Sequence, residues 1–268
     1  MNIRLLGTGG ADGIPGFYSN SDVSQYARKH GGKDFRTRCA ALVDGQLKID
    51  LPPDTLCQLQ RDGLDARDWS ALLFTHSHED HFAVAELQYT LYPFTELEEI
   101  PFTVYGNQQI GKGIRERYPE WPIDFTELRA ECTYIHATYA ITPIRAMHKE
   151  DEECLNLLIE CGDERLLYAT DTGIWDDATF AFLADYPLNC LVIECTEGFR
   201  RTEYKGHLNF DDLELVLRRL RTSGVVSPQT RVVTTHHAAT GGATHARLQE
   251  VLKPMGAEPG YDGMLIEF

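Results

Sequence analysis

The sequence predicts a protein of the α/β class. Short apolar runs, such as Leu188 to Cys195, are typical of buried strands. Other segments, such as Phe210 to Arg221, place apolar residues three and four positions apart, as amphipathic helices do. The chain has 268 residues, of which 43% are hydrophobic, and no Pro/Gly/Ser-rich linker divides it. We therefore expect one domain over residues 1–268.

The first half of the chain mixes both kinds of element. Glycines mark two of its turns, at Gly7-Thr8-Gly9-Gly10 and at Asp44-Gly45, and the second turn predicts a hairpin. Residues 11–38 show little periodicity, which indicates a long loop, and their position places it near the functional site. The predicted elements are strands over 2–7, 39–44, 46–50, 69–75 and 101–106, and helices over 53–63, 80–94 and 108–118.

The second half consists mainly of strands. An acidic run over 150–153 follows the first of them and predicts a solvated turn. A further turn is expected at Gly162-Asp163. The predicted elements are strands over 139–147, 155–161, 165–170, 188–195 and 231–235, and one helix over 210–221.

The segment His76-Ser77-His78-Glu79-Asp80-His81 directly follows the apolar run 71–74. On a strand-like stretch His76 and His78 point the same way, because side chains alternate with period two. A turn into a helix carries Asp80 and His81 towards a neighbouring point. The spacing therefore predicts two adjacent metal positions.

This His-x-His-x-Asp-His pattern resembles the signature of the metallo-β-lactamase superfamily. The resemblance implies an αββα sandwich, in which two mixed β-sheets are flanked by helices and a site for one or two metals lies at the edge. The Gly-Thr-Gly opening agrees with it. The superfamily also places a histidine, an aspartate and a last histidine downstream, each at a strand end.

The resemblance implies a dinuclear site. His76, His78 and His148 would bind the first metal, Asp80, His81 and His236 the second, and Asp171 would bridge both. His237 is the alternative to His236, since only one of two neighbouring side chains can face the metals. Asp50 falls where the superfamily has a carboxylate that supports a ligand histidine.

The ligand types indicate the metals and the reaction. Imidazole and carboxylate without thiolate favour zinc, with manganese or iron as alternatives. Two such metals can share a water and make a bridging hydroxide available at neutral pH, so hydrolysis is the expected reaction. Asp80 would also orient this nucleophile.

His207 precedes the helix predicted over 210–221. It resembles a histidine that phosphodiesterases of the superfamily, namely ribonuclease Z and the PhnP-type enzymes, use to protonate the leaving alkoxide. The resemblance to the PhnP-type branch extends over nearly the full chain. It implies a phosphodiesterase for small cyclic phosphodiesters or nucleotides, and frequent homodimers. Arg36, Arg38 and Lys205 are candidates for binding the anionic group.

Two other function classes remain open: a lactonase or other carbonyl-directed hydrolase, and a non-catalytic binding relative. A net charge of −16 argues against stable nucleic-acid binding. No apolar run approaches the roughly 20 residues of a membrane span, and the first residues lack the apolar core of a signal peptide. Seven scattered cysteines predict reduced thiols in the cytoplasm. Members of the PhnP-type branch often hold a structural zinc with cysteines of the early loop; because this region has only Cys39, the resemblance predicts no third metal here.

Overall fold

The computed structural model describes residues 1–268 and contains two seven-stranded sheets. The first sheet has the order β14-β1-β2-β3-β4-β5-β6, with antiparallel pairs from β14 to β3 and parallel pairs from β3 to β6. Its strands are β1 (Asn2–Gly7), β2 (Ala40–Val43), β3 (Leu47–Ile49), β4 (Ala71–Leu73), β5 (Thr103–Gly106), β6 (Phe125–Glu127) and β14 (Met264–Glu267).

The second sheet has the order β13-β12-β11-β10-β9-β8-β7. It is also mixed, because the pairs from β7 to β10 are antiparallel and those from β10 to β13 are parallel. Its strands are β7 (Tyr134–His136), β8 (Tyr139–Arg145), β9 (Leu155–Cys161), β10 (Glu164–Ala169), β11 (Cys190–Glu194), β12 (Arg231–Thr235) and β13 (Glu258–Pro259).

Six α-helices and five short 3₁₀-helices connect the strands. The α-helices are α1 (Asp22–His30), α2 (Thr55–Asp62), α3 (Gln108–Arg117), α4 (Asp177–Leu183), α5 (Phe210–Thr222) and α6 (His245–Leu252). The 3₁₀-helices span Gly32–Asp34, Ala66–Asp68, Val84–Thr90, Ala239–Gly241 and Lys253–Met255. None of the helices is both long and apolar enough to cross a membrane.

Three apolar clusters hold these layers together. One lies between the sheets and combines side chains of both, such as Leu47 and Val192. A second packs α3 on the outer face of the first sheet through Ile110, and a third packs α5 on the outer face of the second sheet through Leu217. Burial on both faces explains why the strand sequences are apolar runs. The predicted αββα sandwich of two mixed sheets is confirmed.

The hairpin between β2 and β3 is confirmed at Asp44-Gly45. Both residues have positive φ, 47° and 72°, and the Gln46 amide donates to the carbonyl of Val43, which closes a tight turn before Val43 pairs with Leu47. The predicted boundaries of β9 and β12 agree with the structure to the residue.

The prediction of a long loop over residues 11–38 is wrong in its middle, where α1 forms. The Ser21 side chain accepts a hydrogen bond from the amide of Ser24 and caps the helix. Val23 and Ala27 are its buried apolar residues, and they pack with Ala239. Two such residues are too few to produce a visible apolar stripe in the sequence. The helix is therefore stabilised by the capping contact and by tertiary packing.

The prediction of one amphipathic helix over 80–94 is also wrong. The Leu51 amide donates to the carbonyl of His81, and the Leu51 carbonyl accepts from the amide of Ala83. These bonds occupy backbone groups that a helix would need, so only the 3₁₀-helix Val84–Thr90 follows. Leu87 is buried as expected, whereas Tyr92, which was assigned to the same face, is 76% exposed.

Candidate metal centre

The predicted metal ligands follow the ends of four strands in two sheets. The histidine-rich segment follows β4 of the first sheet, while His148, Asp171 and His236 follow β8, β10 and β12 of the second. Because the sheets face each other, these strand ends meet at one edge of the sandwich. All seven predicted ligands lie in one cluster: His76, His78, Asp80, His81, His148, Asp171 and His236.

The first group of ligand atoms comes from three histidines. His78 Nδ1 lies 3.0 Å from His76 Nε2 and 3.1 Å from His148 Nε2. Asp171 Oδ1 lies 4.0 Å from His76 Nε2 and 3.6 Å from His148 Nε2. These four atoms surround one point.

The second group lies beside it and uses the other oxygen of the same aspartate. Asp171 Oδ2 is 3.1 Å from His81 Nε2 and 3.2 Å from His236 Nε2. Asp80 Oδ2 is 3.2 Å from His81 Nε2 and 3.7 Å from His236 Nε2. Asp171 therefore presents one carboxylate oxygen to each group, as a bridging ligand would.

The donor atoms fit divalent metals. His81 Nε2 and His236 Nε2 are buried and make no hydrogen bond, although carboxylate oxygens lie near them. Leaving a buried polar nitrogen unpaired costs about 1–3 kcal/mol. A cation in the second group would satisfy these two nitrogens. A cation in the first group would separate the imidazoles that crowd together there.

Two buried carboxylates orient four of the rings. Asp50 Oδ2 accepts from His81 Nδ1 at 2.7 Å, and Thr75 Oγ1 links the same carboxylate to His76 Nδ1. Glu194 Oε1 accepts from His207 Nδ1 at 2.7 Å. The other oxygen of Glu194 accepts from the hydroxyl of Thr196, which lies 2.9 Å from Nδ1 of His236. Each Nε2 is thereby left to face the cluster.

The ionisation of three histidines and of Asp171 suits metal binding, whereas the carboxylates around His81, Asp171 foremost, outweigh burial and raise the pKa of that ring in the metal-free cluster. Burial lowers the pKa of His76, His78 and His148, which favours the neutral imidazole that binds metal. Burial alone would raise the pKa of Asp171, but the neighbouring His236 and His81 lower it well below its usual range. The carboxylate is therefore ionised.

His207 lies at the rim of the cluster. Its ring centroid is 4.8 Å from that of His148 and 5.5 Å from that of His236, and its side chain is 15% exposed. Burial lowers its pKa, but the Glu194 carboxylate outweighs this effect and raises the pKa of His207 to about 9. Because Nδ1 is hydrogen-bonded to Glu194, Nε2 is the ring nitrogen left for other contacts.

Glu194 escaped the sequence analysis because it ends an apolar strand, β11, and its partners are distant in sequence. Besides His207 and Thr196, its carboxylate accepts from the amides of Thr172 at 2.7 Å and Leu208 at 3.1 Å. The one local signal is an acidic residue inside a run that is otherwise apolar.

The acidic run 150–153 is not wholly a solvated turn, as was predicted. Asp151 and Glu153 are exposed, but the side chain of Glu152 is completely buried. Its carboxylate is hydrogen-bonded to Ser77, between two metal-ligand candidates.

The neighbour of His236 faces elsewhere. His237 Nε2 lies 3.2 Å from Thr234 Oγ1, and the ring belongs to no group of ligand atoms. His236 has a positive φ of 54°, as do Asp50 (58°) and Asp171 (49°). Such φ values cost non-glycine residues energy and cluster at functional sites.

Two of the three cations suggested for substrate binding have structural roles instead. Arg36 is buried and donates to Thr8 Oγ1 and to the carbonyl of Gly260, both at 2.7 Å. Arg38 lies 3.2 Å from Asp54 in an ion pair. Lys205 is exposed. A Cβ atom added to Gly173 would lie only 1.8 Å from the carbonyl oxygen of Lys205. The segment before His207 therefore packs tightly on the segment after Asp171.

Comparisons with known proteins agree with this geometry. The model of the beta-lactamase superfamily domain matches residues 49–237, more than half of the chain. The chain therefore belongs to the beta-lactamase superfamily. Together with the fold and the clustered ligand atoms, this membership defines a metal-dependent hydrolase.

Three solved structures resemble the whole chain. A diphosphatase of the PhnP family has a TM-score of 0.77 and 19% identity, with 100% of this chain and 97% of that chain covered. Zinc-bound PqqB from Methylobacterium extorquens has a TM-score of 0.76, 16% identity and full coverage of both chains. The short form of human tRNase Z has a TM-score of 0.67 and 16% identity, with 100% and 99% covered. Such low identities show a shared fold. A search of curated proteins by sequence found no match.

Proposed function

We propose that this protein is a dinuclear metal-dependent phosphodiesterase that acts on small phosphodiesters, such as cyclic phosphates or nucleotides. The observation that carries the proposal is the position of Asp171, whose two oxygens face two separate groups of ligand atoms. His207 beside these groups supplies the acid that expulsion of an alkoxide requires. A diphosphatase of the PhnP family shares the fold, which supports hydrolysis at phosphorus as the general reaction.

His76, His78 and His148 would hold one metal, and Asp80, His81 and His236 the other, with Asp171 between them. Zinc suits these ligands best, and manganese or iron also fit. The metals would supply Lewis acidity and lower the pKa of a bound water towards neutrality. Asp80 would accept a hydrogen bond from the attacking water and orient it.

His207 has the geometry of a general acid. Glu194 holds its Nδ1, so the protonated Nε2 can donate to the leaving oxygen of the substrate. The same carboxylate reaches His236 through Thr196. Glu194 thus keeps the acid and one metal ligand at a fixed separation.

We further propose a cytoplasmic enzyme without stable nucleic-acid partners, which forms a homodimer. The free state of all seven cysteines supports the cytoplasm, and the net charge of −16 opposes extended phosphate contacts. Size-exclusion chromatography with light scattering tests the dimer.

A substrate comparison tests the reaction. We expect the protein loaded with zinc or manganese to hydrolyse bis(p-nitrophenyl) phosphate faster than any member of a lactone panel, and chelation to abolish this activity. Preferential lactone hydrolysis would instead indicate a carbonyl-directed hydrolase. Bound metal without activity on either class would indicate a binding protein.

Replacement of His207 by alanine tests the acid. The rate on a cyclic nucleotide, whose leaving group is a ribose alkoxide, should fall by about 10²–10⁴-fold, because the leaving oxygen loses its proton donor. The rate on bis(p-nitrophenyl) phosphate should fall much less, because p-nitrophenolate leaves without a proton. The zinc content should stay unchanged, since His207 is not among the proposed ligands. His30→Ala is the control, because His30 is exposed and stacks on Tyr26 of α1. Full activity of His207→Ala on the cyclic nucleotide would refute the role.

A further inference from the structure

Glu152 forms an unusually dense set of hydrogen bonds for a residue in an acidic run. Its carboxylate accepts from Ser77 N at 2.8 Å, Ser77 Oγ at 2.5 Å, Asn107 Nδ2 at 2.7 Å and Lys149 Nζ at 2.7 Å. The side chain is 0% exposed. A buried carboxylate with four donors is fixed in place, because moving any donor leaves it unsatisfied.

The donors belong to three separate segments of the chain. Ser77 stands between His76 and His78, and Lys149 directly follows His148. Asn107 directly follows β5 and caps α3, where its Oδ1 accepts from the amide of Ile110. Glu152 therefore ties the two segments that carry the first group of ligand atoms to each other and to the first helix turn of α3.

The second group does not depend on this residue. Asp50 accepts from His81, and Thr196 bonded to Glu194 holds His236. None of these contacts involves Glu152 or its donors. The supports of the second position thus do not include Glu152, although Asp50 also reaches His76 of the first group through Thr75.

We infer that Glu152 is the positioning residue of the first metal position, where it fixes the His76–His78 segment against the His148 segment. The inference rests on the proposed dinuclear site. It further states that the metal affinity of one position can be reduced without reducing that of the other. Glu152 touches no proposed ligand atom, so it acts through the backbone of Ser77 and through Lys149.

Charge adds to this effect. Lys149 Nζ pairs with the Glu152 carboxylate at 2.7 Å, and its side chain is only 23% exposed. Without the carboxylate, Lys149 would keep as an ion pair only its longer contact with the exposed Asp151, at 3.8 Å, and its charge would oppose a divalent cation at the first metal position.

The test is the zinc content of Glu152→Gln. Glutamine keeps the size of the side chain but has one acceptor oxygen and no charge. The protein is dialysed against a zinc–chelator buffer in which the unaltered chain keeps two zinc ions, and the metal is counted by mass spectrometry. We expect one zinc per chain and a 10–100-fold weaker affinity for the second equivalent. Glu153→Gln, next to it and exposed, should keep two.

Double variants identify the position that is lost. Addition of His236→Ala to Glu152→Gln should remove the remaining zinc, whereas addition of His78→Ala should leave it bound. The opposite pattern, or loss of both ions in Glu152→Gln alone, would overturn the inference. If Glu152→Gln does not fold, Ser77→Ala removes only the hydroxyl donor, and we expect a smaller loss of affinity for one zinc only.

The outcomes separate this inference from the proposed function. If the unaltered chain bound no more than one zinc under any loading condition, the dinuclear proposal would fail. If it bound two and Glu152→Gln bound two with equal affinity, the positioning role would be wrong and the proposed function would stand.

Discussion

At the scale of residues, the carboxylates of the site have two roles: some face the candidate metal positions, and others form hydrogen bonds with the histidine rings. Asp171 faces both groups of ligand atoms, whereas Asp50 and Glu194 never face them and hold the far nitrogens of the rings. A carboxylate behind an imidazole fixes its tautomer and increases its basicity. The affinity for metal therefore depends on residues that would not appear among the ligands.

The variant Asp50→Asn tests the contribution of the carboxylate that holds His81. Asparagine tolerates the positive φ of this position, so the backbone can stay as it is. Its single carbonyl oxygen cannot accept from His81 Nδ1 and from the Thr75 amide and hydroxyl together. We expect zinc affinity to fall about 10–100-fold in a chelator competition.

Asp68→Asn is the matched control, because this aspartate is exposed on the 3₁₀-helix Ala66–Asp68. Zinc affinity in Asp50→Asn equal to that of the control would show that the carboxylate is dispensable.

The same scale shows why sequence reasoning found the ligands and missed Glu152 and Glu194. The histidines and Asp171 stand directly after apolar runs, and the resemblance assigns their order. Glu152 meets Ser77 from 75 residues away, and Glu194 meets His207 from 13 residues away. The sequence around each glutamate does not show its partners, because tertiary packing alone brings them together.

At the scale of elements, strands were easier to predict than helices. The strands β9 and β12 are buried over most of their length and contain β-branched or apolar residues, such as Ile159 and Val233, that favour strands. The helix α1 depends on the cap at Ser21, and the segment after His81 is kept from forming an α-helix by its bonds to Leu51. These contacts override the local pattern.

The strand β3 contains an exception to its apolar character. Lys48 is fully buried, and its Nζ donates to the carbonyls of Ile49 and Asp50. Burial lowers its pKa from 10.5 to about 7. Between these pH values the unfolded chain binds the extra proton, so the free energy of unfolding increases as pH rises through this window. The cost of burying the lysine is fully present below pH 7.

Lys48→Met removes this titration. Between pH 7 and 9.5, the unaltered chain should gain about 1–3 kcal/mol of unfolding free energy relative to Lys48→Met. Urea denaturation at both pH values measures the difference. Lys112→Met, which changes an exposed lysine of α3, should behave like the unaltered chain. Equal pH dependence in all three proteins would contradict the assignment.

At the scale of the whole molecule, the metal centre joins the two sheets. His76 and His81 come from the first sheet, and His148, Asp171 and His236 come from the second. Bound metals would therefore connect halves of the sandwich that otherwise meet mainly through the apolar cluster between them. The ligand pattern in the sequence indicated that the segments converge, but only the structure shows that they do so across the two sheets.

Removal of the metals should destabilise the whole fold. A ligand present at 1,000 times its Kd stabilises the native state by about 4 kcal/mol, which corresponds to roughly 5–15 °C in Tm for a chain of this size. Differential scanning calorimetry with and without a chelator measures the change. His236→Ala, which lacks one ligand, should respond less to the chelator. An unchanged Tm would mean that the centre does not couple the sheets.

The positive φ angles of Asp50, Asp171 and His236 have a consequence for how this sandwich can vary. A left-handed corner accepts glycine, asparagine, aspartate or histidine far more readily than a β-branched residue. At these three positions the backbone conformation limits which residue types can occur, independently of any requirement for metal ligands. In a related protein that no longer needed the metal site, glycine would be the least strained replacement at these positions. Glycine at all three would therefore indicate that such a protein has lost the site.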